Sequence, residues 1–97
     1  MEFTLKKILV FGNSGSGKST YAKNLSFNIG LAHLDLDTVA FQTDKPIQRK
    51  PVQESMSEII AFIEQNDDWV IEGCYGDLIL CLFDYANDLV FLNLPVE

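Results

Sequence analysis

The stretch that decides the fold runs from Ile8 to Thr20 and reads ILVFGNSGSGKST. An apolar run stops at Gly12, and a loop rich in glycine leads into Lys18, Ser19 and Thr20. A tight hairpin needs two permissive residues, not a whole loop of them. Gly12, Gly17, Lys18 and Ser19 fit the pattern G-x-x-x-x-G-K-[ST] between an expected strand and an expected helix, the context this pattern requires. Its physics is specific. Glycines permit positive φ and remove Cβ atoms, so successive N–H groups can curl around phosphate oxygens. The helix that follows turns its positive end toward the same anion. Lys18 adds a full charge within reach of terminal phosphates, and the Ser19 hydroxyl can ligate Mg²⁺. The loop therefore reads as a cradle for a nucleoside triphosphate, built from Gly12, Asn13, Ser14, Gly15, Ser16, Gly17, Lys18, Ser19 and Thr20.

Outward from that loop, the pattern alternates. Leu5 to Phe11 reads as a strand buried on both faces. Ala22, Leu25 and Ile29 fall at helical spacing, with Gly30 placed to stop the helix. LAHLDLD, Leu31 to Asp37, reads as a second strand carrying Asp35 and Asp37 on one side at its end. Gln42 to Pro51 is a polar loop with two prolines. From Pro51, a stripe of Val52, Met56, Ile59, Ile60 and Ile63 predicts a helix to Gln65. Trp69-Val70-Ile71 makes a third strand ending at Glu72-Gly73, with Trp69 expected to cap the core. Leu78 to Tyr85 is a short helix, and Asp88 to Leu94 a fourth strand. Strands alternating with helices imply an α/β fold with a parallel sheet. Ligands of such sheets sit beyond the carboxyl ends of the strands, where Gly12, Asp35, Asp37, Glu72 and Gly73 gather.

Size and charge narrow the function. The 97 residues, 47% hydrophobic, make one small domain with a single core. A net charge of −7 offers no basic face for a nucleic-acid backbone, so general nucleic-acid binding is disfavoured. No apolar run reaches the roughly 18 residues of a membrane span, and the N-terminus lacks a leader's long apolar stretch. Cys74 and Cys81 lack zinc-ligand spacing and read as reduced, half-buried thiols, which with the rest implies a cytoplasmic protein.

GNSGSGKST, HLDLD and WVIEGCYGDL, followed by a strand ending NLP, resemble small kinases of the adenylate and shikimate kinase type. The likeness is greatest to the bacterial topology modulation proteins and covers nearly the whole chain. That resemblance implies the core of a P-loop NTPase, with ATP on the first loop, helices on both faces and five strands in the order 2-3-1-4-5. Four of these are readable here, in the order 2-3-1-4. The resemblance assigns Asp35, with Ser19, to Mg²⁺, and assigns Asp37 to the acceptor; Lys18 and Asp37 would then act in catalysis. A GTPase is a poor competitor, since D-x-x-G and N-K-x-D are both lacking. Two readings stay open for Glu72, which can orient metal or acceptor, or serve only the structure. Gly73 either lets the chain pass near the acceptor or merely ends a strand. Tyr75 is a pocket wall or a packed aromatic, and His33 reads as a satisfied structural histidine. Lys45, Arg49 and Lys50 either meet an anionic substrate or sit on a solvated loop.

Relatives of this type carry a lid of arginines after the fourth strand, then a fifth strand. This sequence has one arginine, Arg49, placed before the fourth strand. Loss of arginine fingers costs roughly 10³–10⁵ in rate. LVFLNL would also be an edge strand apolar on both faces, which calls for a partner. The expectation is thus an interrupted kinase-like domain, or one whose fourth strand pairs with another chain. Two functions follow: Mg²⁺-dependent phosphoryl transfer from ATP to a small acceptor, or nucleotide binding without transfer.

Overall fold

The computed structural model describes residues 6–12, 17–41 and 48–92. The expectations for Leu5, for the loop residues Asn13, Ser14, Gly15 and Ser16, for Lys45 and for the strand end at Leu94 fall outside them.

The element order is β1 (Lys7–Gly12), α1 (Lys18–Ile29), β2 (Ala32–Asp35), α2 (Asp37–Ala40), α3 (Val52–Gln65), β3 (Trp69–Gly73), α4 (Gly76–Leu82) and β4 (Asp88–Leu92). The strands form one parallel sheet in the order β2-β3-β1-β4. This is the α/β architecture expected, because apolar strands that need cover on both faces take helical crossovers to reach it.

Register divides the core. Ile8, Val10 and Val70 point to the face covered by α1, where they meet Ala22 and Leu31. Leu9, Trp69 and Ile71 point to the other face and pack with Leu36 just before α2, Ile59 of α3 and Leu78 of α4. Each buried aliphatic side chain contributes about 1.5–3 kcal/mol, so both faces are needed to hold so small a sheet. Trp69 does not cap the core; it is fully enclosed within it.

Several boundaries and faces differ from expectation. β2 ends at Asp35 rather than Asp37, because Leu36 turns to helical angles (φ −60°, ψ −23°) and drives its side chain into the core. Asp37 is therefore the first residue of α2 and not a strand residue. Gly30 does close α1, its N–H donating to the Ser26 carbonyl at 3.0 Å. Ile29, however, is half exposed, since the buried strip of α1 ends a turn earlier. On α3, Phe62 joins the core packing and Ile60 does not. Ser55 is fully buried there and donates to the Val39 carbonyl at 2.8 Å, tying α3 to α2. Cys74 and Cys81 are both free, as expected, but exposed rather than half-buried.

Among the described residues β4 pairs only with β1. Val90 and Leu92 pack on the α1 face, while Leu89 and Phe91 are 52% and 60% exposed on the other. Gly12 fixes how closely β1 and β4 approach. At its φ of +152°, an added Cβ would lie 1.7 Å from the Leu92 carbonyl oxygen, which no side chain can tolerate.

Candidate active site

The parallel sheet delivers its strand ends to one edge, and a cavity of about 390 Å³ opens there. One wall is the start of α1: Gly17, Lys18, Ser19 and Thr20. Gly17 precedes the helix at φ +87°, a left-handed conformation that glycine adopts without strain. Among the described residues no side chain caps this end and the first turn carries no acidic residue; Gly17 to Thr20 bring its positive end to the cavity. Lys18 lies at this wall only 9% exposed.

The facing wall is acidic and comes from β2, α2 and β3: Asp35, Asp37 and Glu72. Asp35 and Glu72 stand side by side in the β2–β3 register, on the same face of the sheet as α1. Asp35 Oδ1 accepts the Asp37 N–H at 2.9 Å, and Thr38 Oγ1 donates to the Asp35 carbonyl at 2.7 Å. That local turn redirects the chain, yet keeps both aspartates on the cavity. The expected alternation along a strand was thus the wrong reason for a correct convergence.

Glu72 is 3% exposed, and both its oxygens are engaged. Ser19 Oγ donates to Oε1 at 3.0 Å, and His33 Nε2 meets Oε2 at 2.9 Å. Glu72 thus lines the cavity and is bonded to Ser19, a residue of the facing wall. The bond to His33 gives that histidine a defined partner. Gly73 has a third role: an added Cβ would come within 2.8 Å of Leu36 Cβ, so it lets the β2–α2 turn close against β3.

Tyr75 is a wall of the cavity, and its hydroxyl donates to Asp37 Oδ1. Burial first, then the hydrogen bond and charge of Asp37, push its phenol above the ordinary tyrosine range. Phe41 meets the Tyr75 ring edge-on at 5.8 Å, and the Arg49 guanidinium sits 4.6 Å from its centroid. Arg49 Nη2 also binds both Asp77 oxygens at 3.2 and 3.1 Å, and Lys50 pairs with Glu58 at 2.5 Å. These two cations are held by protein carboxylates. Asp77 had no signal of its own in the sequence beyond its place in the first turn of α4, where an acid suits the helix dipole.

The Ser19 hydroxyl and the Asp35 carboxylate are hard oxygen donors, the kind Mg²⁺ prefers. Among the described residues no three His, Cys, Asp or Glu side chains form a metal cage.

No protein-family model matches the chain. Two curated proteins do, both named cytidylate kinase and both from Lactococcus lactis subsp. cremoris, in different strains. Each is 30% identical over 87 residues, which is 90% of this chain and 39% of the relative. The chain thus spans about two fifths of the length of these relatives. Strand order, site placement and this similarity together make the chain P-loop kinase-like. Among the described residues no helix is long and apolar enough to cross a membrane.

Proposed function

We propose that this chain binds ATP with Mg²⁺ and forms the donor half of a cytoplasmic kinase that phosphorylates a small acceptor. The observation that carries the reading is one cavity with Lys18, Ser19 and the open start of α1 on one wall, and Asp35, Asp37 and Glu72 on the other. Lys18, Ser19 and the loop from Gly12 to Thr20 would hold the phosphates. Ser19 and Asp35 would hold Mg²⁺, which when bound supplies charge neutralisation at the transferred phosphoryl group. Asp37 would accept a hydrogen bond from the acceptor hydroxyl, with Tyr75 fixing its carboxylate. The relatives named cytidylate kinase make cytidylate the first acceptor to try.

Arg49 favours a second reading. The sole arginine of the sequence is bound to Asp77, so none of the described residues offers an arginine for the transferred phosphoryl group. On that reading the chain binds nucleotide without transferring phosphate. The apolar face of β4, with Leu89 and Phe91 exposed, supports a further element of the proposal, pairing of that edge with a second chain.

Thermal unfolding with ATP and MgCl₂ tests the binding. Saturation at 100 times Kd adds about 2.7 kcal/mol of stability, and Lys18→Ala abolishes most of that shift. A wild-type melting point untouched by ATP refutes both readings. Transfer of labelled γ-phosphate to cytidylate, nucleosides and sugars then separates kinase from passive binder.

A further inference from the structure

The geometry points to His33 as a positioning residue for Mg²⁺·ATP, acting through Glu72 on the Ser19 hydroxyl; the inference rests on the proposed nucleotide site. A serine hydroxyl has one proton to donate and two lone pairs to offer. To serve as a metal ligand it must turn a lone pair to the cation, so its proton needs an acceptor on the other side. Glu72 Oε1 is that acceptor, at 3.0 Å. A carboxylate held at one oxygen alone can rotate or swing. Here the second oxygen is held by His33 Nε2 at 2.9 Å, which leaves Oε1 aimed at Ser19.

The fold makes this arrangement rigid. His33 pairs with Val70 in the β2–β3 register and Asp35 pairs with Glu72, so the histidine sits two residues back on the same sheet face. Its partner is almost wholly buried, where a carboxylate tolerates no unfilled hydrogen bond at low cost. A role limited to satisfying that buried acid would affect nucleotide binding equally with and without metal. Orientation of Ser19 affects only the part of binding that comes through the cation.

Calorimetric titration with ATP, in MgCl₂ and separately in EDTA, distinguishes the two. Wild type binds more tightly with Mg²⁺. His33→Ala shrinks the ratio of the two affinities about tenfold, the scale of one hydrogen bond to a charged group, and leaves the affinity in EDTA nearly unchanged. His33→Gln, whose amide can reach the position of Nε2, restores the ratio. In a Ser19→Ala background His33→Ala has no further effect on it. If His33→Ala does not fold, His33→Leu fills the same space without the bond and replaces it. An unchanged ratio in the non-bonding variant, or equal loss in His33→Gln, overturns the assignment. A wild type that binds ATP under neither condition defeats the nucleotide site itself and the role of His33 with it.

Discussion

Gly73→Ala tests whether the acidic wall depends on the close approach of two turns. The new Cβ would lie 2.6 Å from Leu36 Cδ1, 2.8 Å from its Cβ and 2.9 Å from its Cγ. Carbon atoms settle at about 3.5–4.0 Å, so Leu36 must retreat by about 0.7 Å or more at its Cβ. A rotamer change moves Cδ1 but not Cβ, so the backbone has to give. The Leu36 N–H donates to the Glu72 carbonyl at 2.9 Å, and that bond lengthens as the turn withdraws. Overpacking of a filled core costs about 1–3 kcal/mol, and a weakened hydrogen bond adds a fraction of about 1 kcal/mol. A loss of about 2 kcal/mol lowers the melting temperature of a domain this size by about 8–16 °C. Asp35 and Asp37 flank Leu36, so affinity for ATP with Mg²⁺ falls several-fold as well. Gly76→Ala is the control, because nothing lies within 4 Å of its added Cβ. Circular dichroism melts and calorimetric titration read both effects. A Gly73→Ala protein that melts with the wild type and binds nucleotide equally well refutes the account of this turn.

Two other outcomes are open to direct measurement. The Tyr75 phenol is raised above the ordinary value of 10.0, so folding favours its neutral form; its contribution to stability is intact below pH 10 and declines as the pH rises further. In an alkaline absorbance titration of the three tyrosines, Tyr75 should ionise last, and Tyr75→Phe should remove that late phase; a first-to-ionise Tyr75 contradicts its bond to Asp37. Pairing through the β4 edge predicts concentration-dependent association in light scattering, lost in Leu89→Lys, whose charge would fall on the exposed face. A wild-type protein that stays monomeric at every concentration contradicts it.

What was legible in the sequence is what depends on near neighbours. The glycine at position 12 and the Gly17-Lys18-Ser19 step lie within eight residues of one another, and strand alternation with helices dictates a parallel sheet whatever the details. The end of β2 was not legible, because Leu-Asp-Leu-Asp satisfies two patterns at once. Read as a strand it puts both aspartates on one side; read as a turn, Asp35 accepts the Asp37 N–H and Leu36 enters the core. Burial of Leu36 against the bare backbone of Gly73 decides between them, and these residues are distant in sequence. Arg49 and Asp77 are likewise 28 positions apart, so neither announces the other. Ile29 and Ile60 carry the right helical period but sit beyond the area that the sheet can cover.

The charge arrangement bears on how the site must work. Asp35, Asp37 and Glu72 face the same cavity as Lys18, so a polyphosphate entering alone would approach three carboxylates and a single lysine. At about 4 Å and an effective dielectric near 20, each unscreened pair of like charges costs about 4 kcal/mol. His33 and Ser19 hydrogen-bond to Glu72, which tempers one of the three. Asp37 shares its charge with the Tyr75 hydroxyl. Among the described residues only Oδ1 of Asp35 is taken, by the turn, which leaves its second oxygen to the cavity. A divalent cation held by Asp35 would supply positive charge that offsets this repulsion. On the proposed function the acidic wall would make nucleotide binding conditional on the metal, and the contrast between Mg²⁺ and EDTA should be steep in the wild type. If it is shallow, the carboxylates face something other than a nucleotide's phosphates.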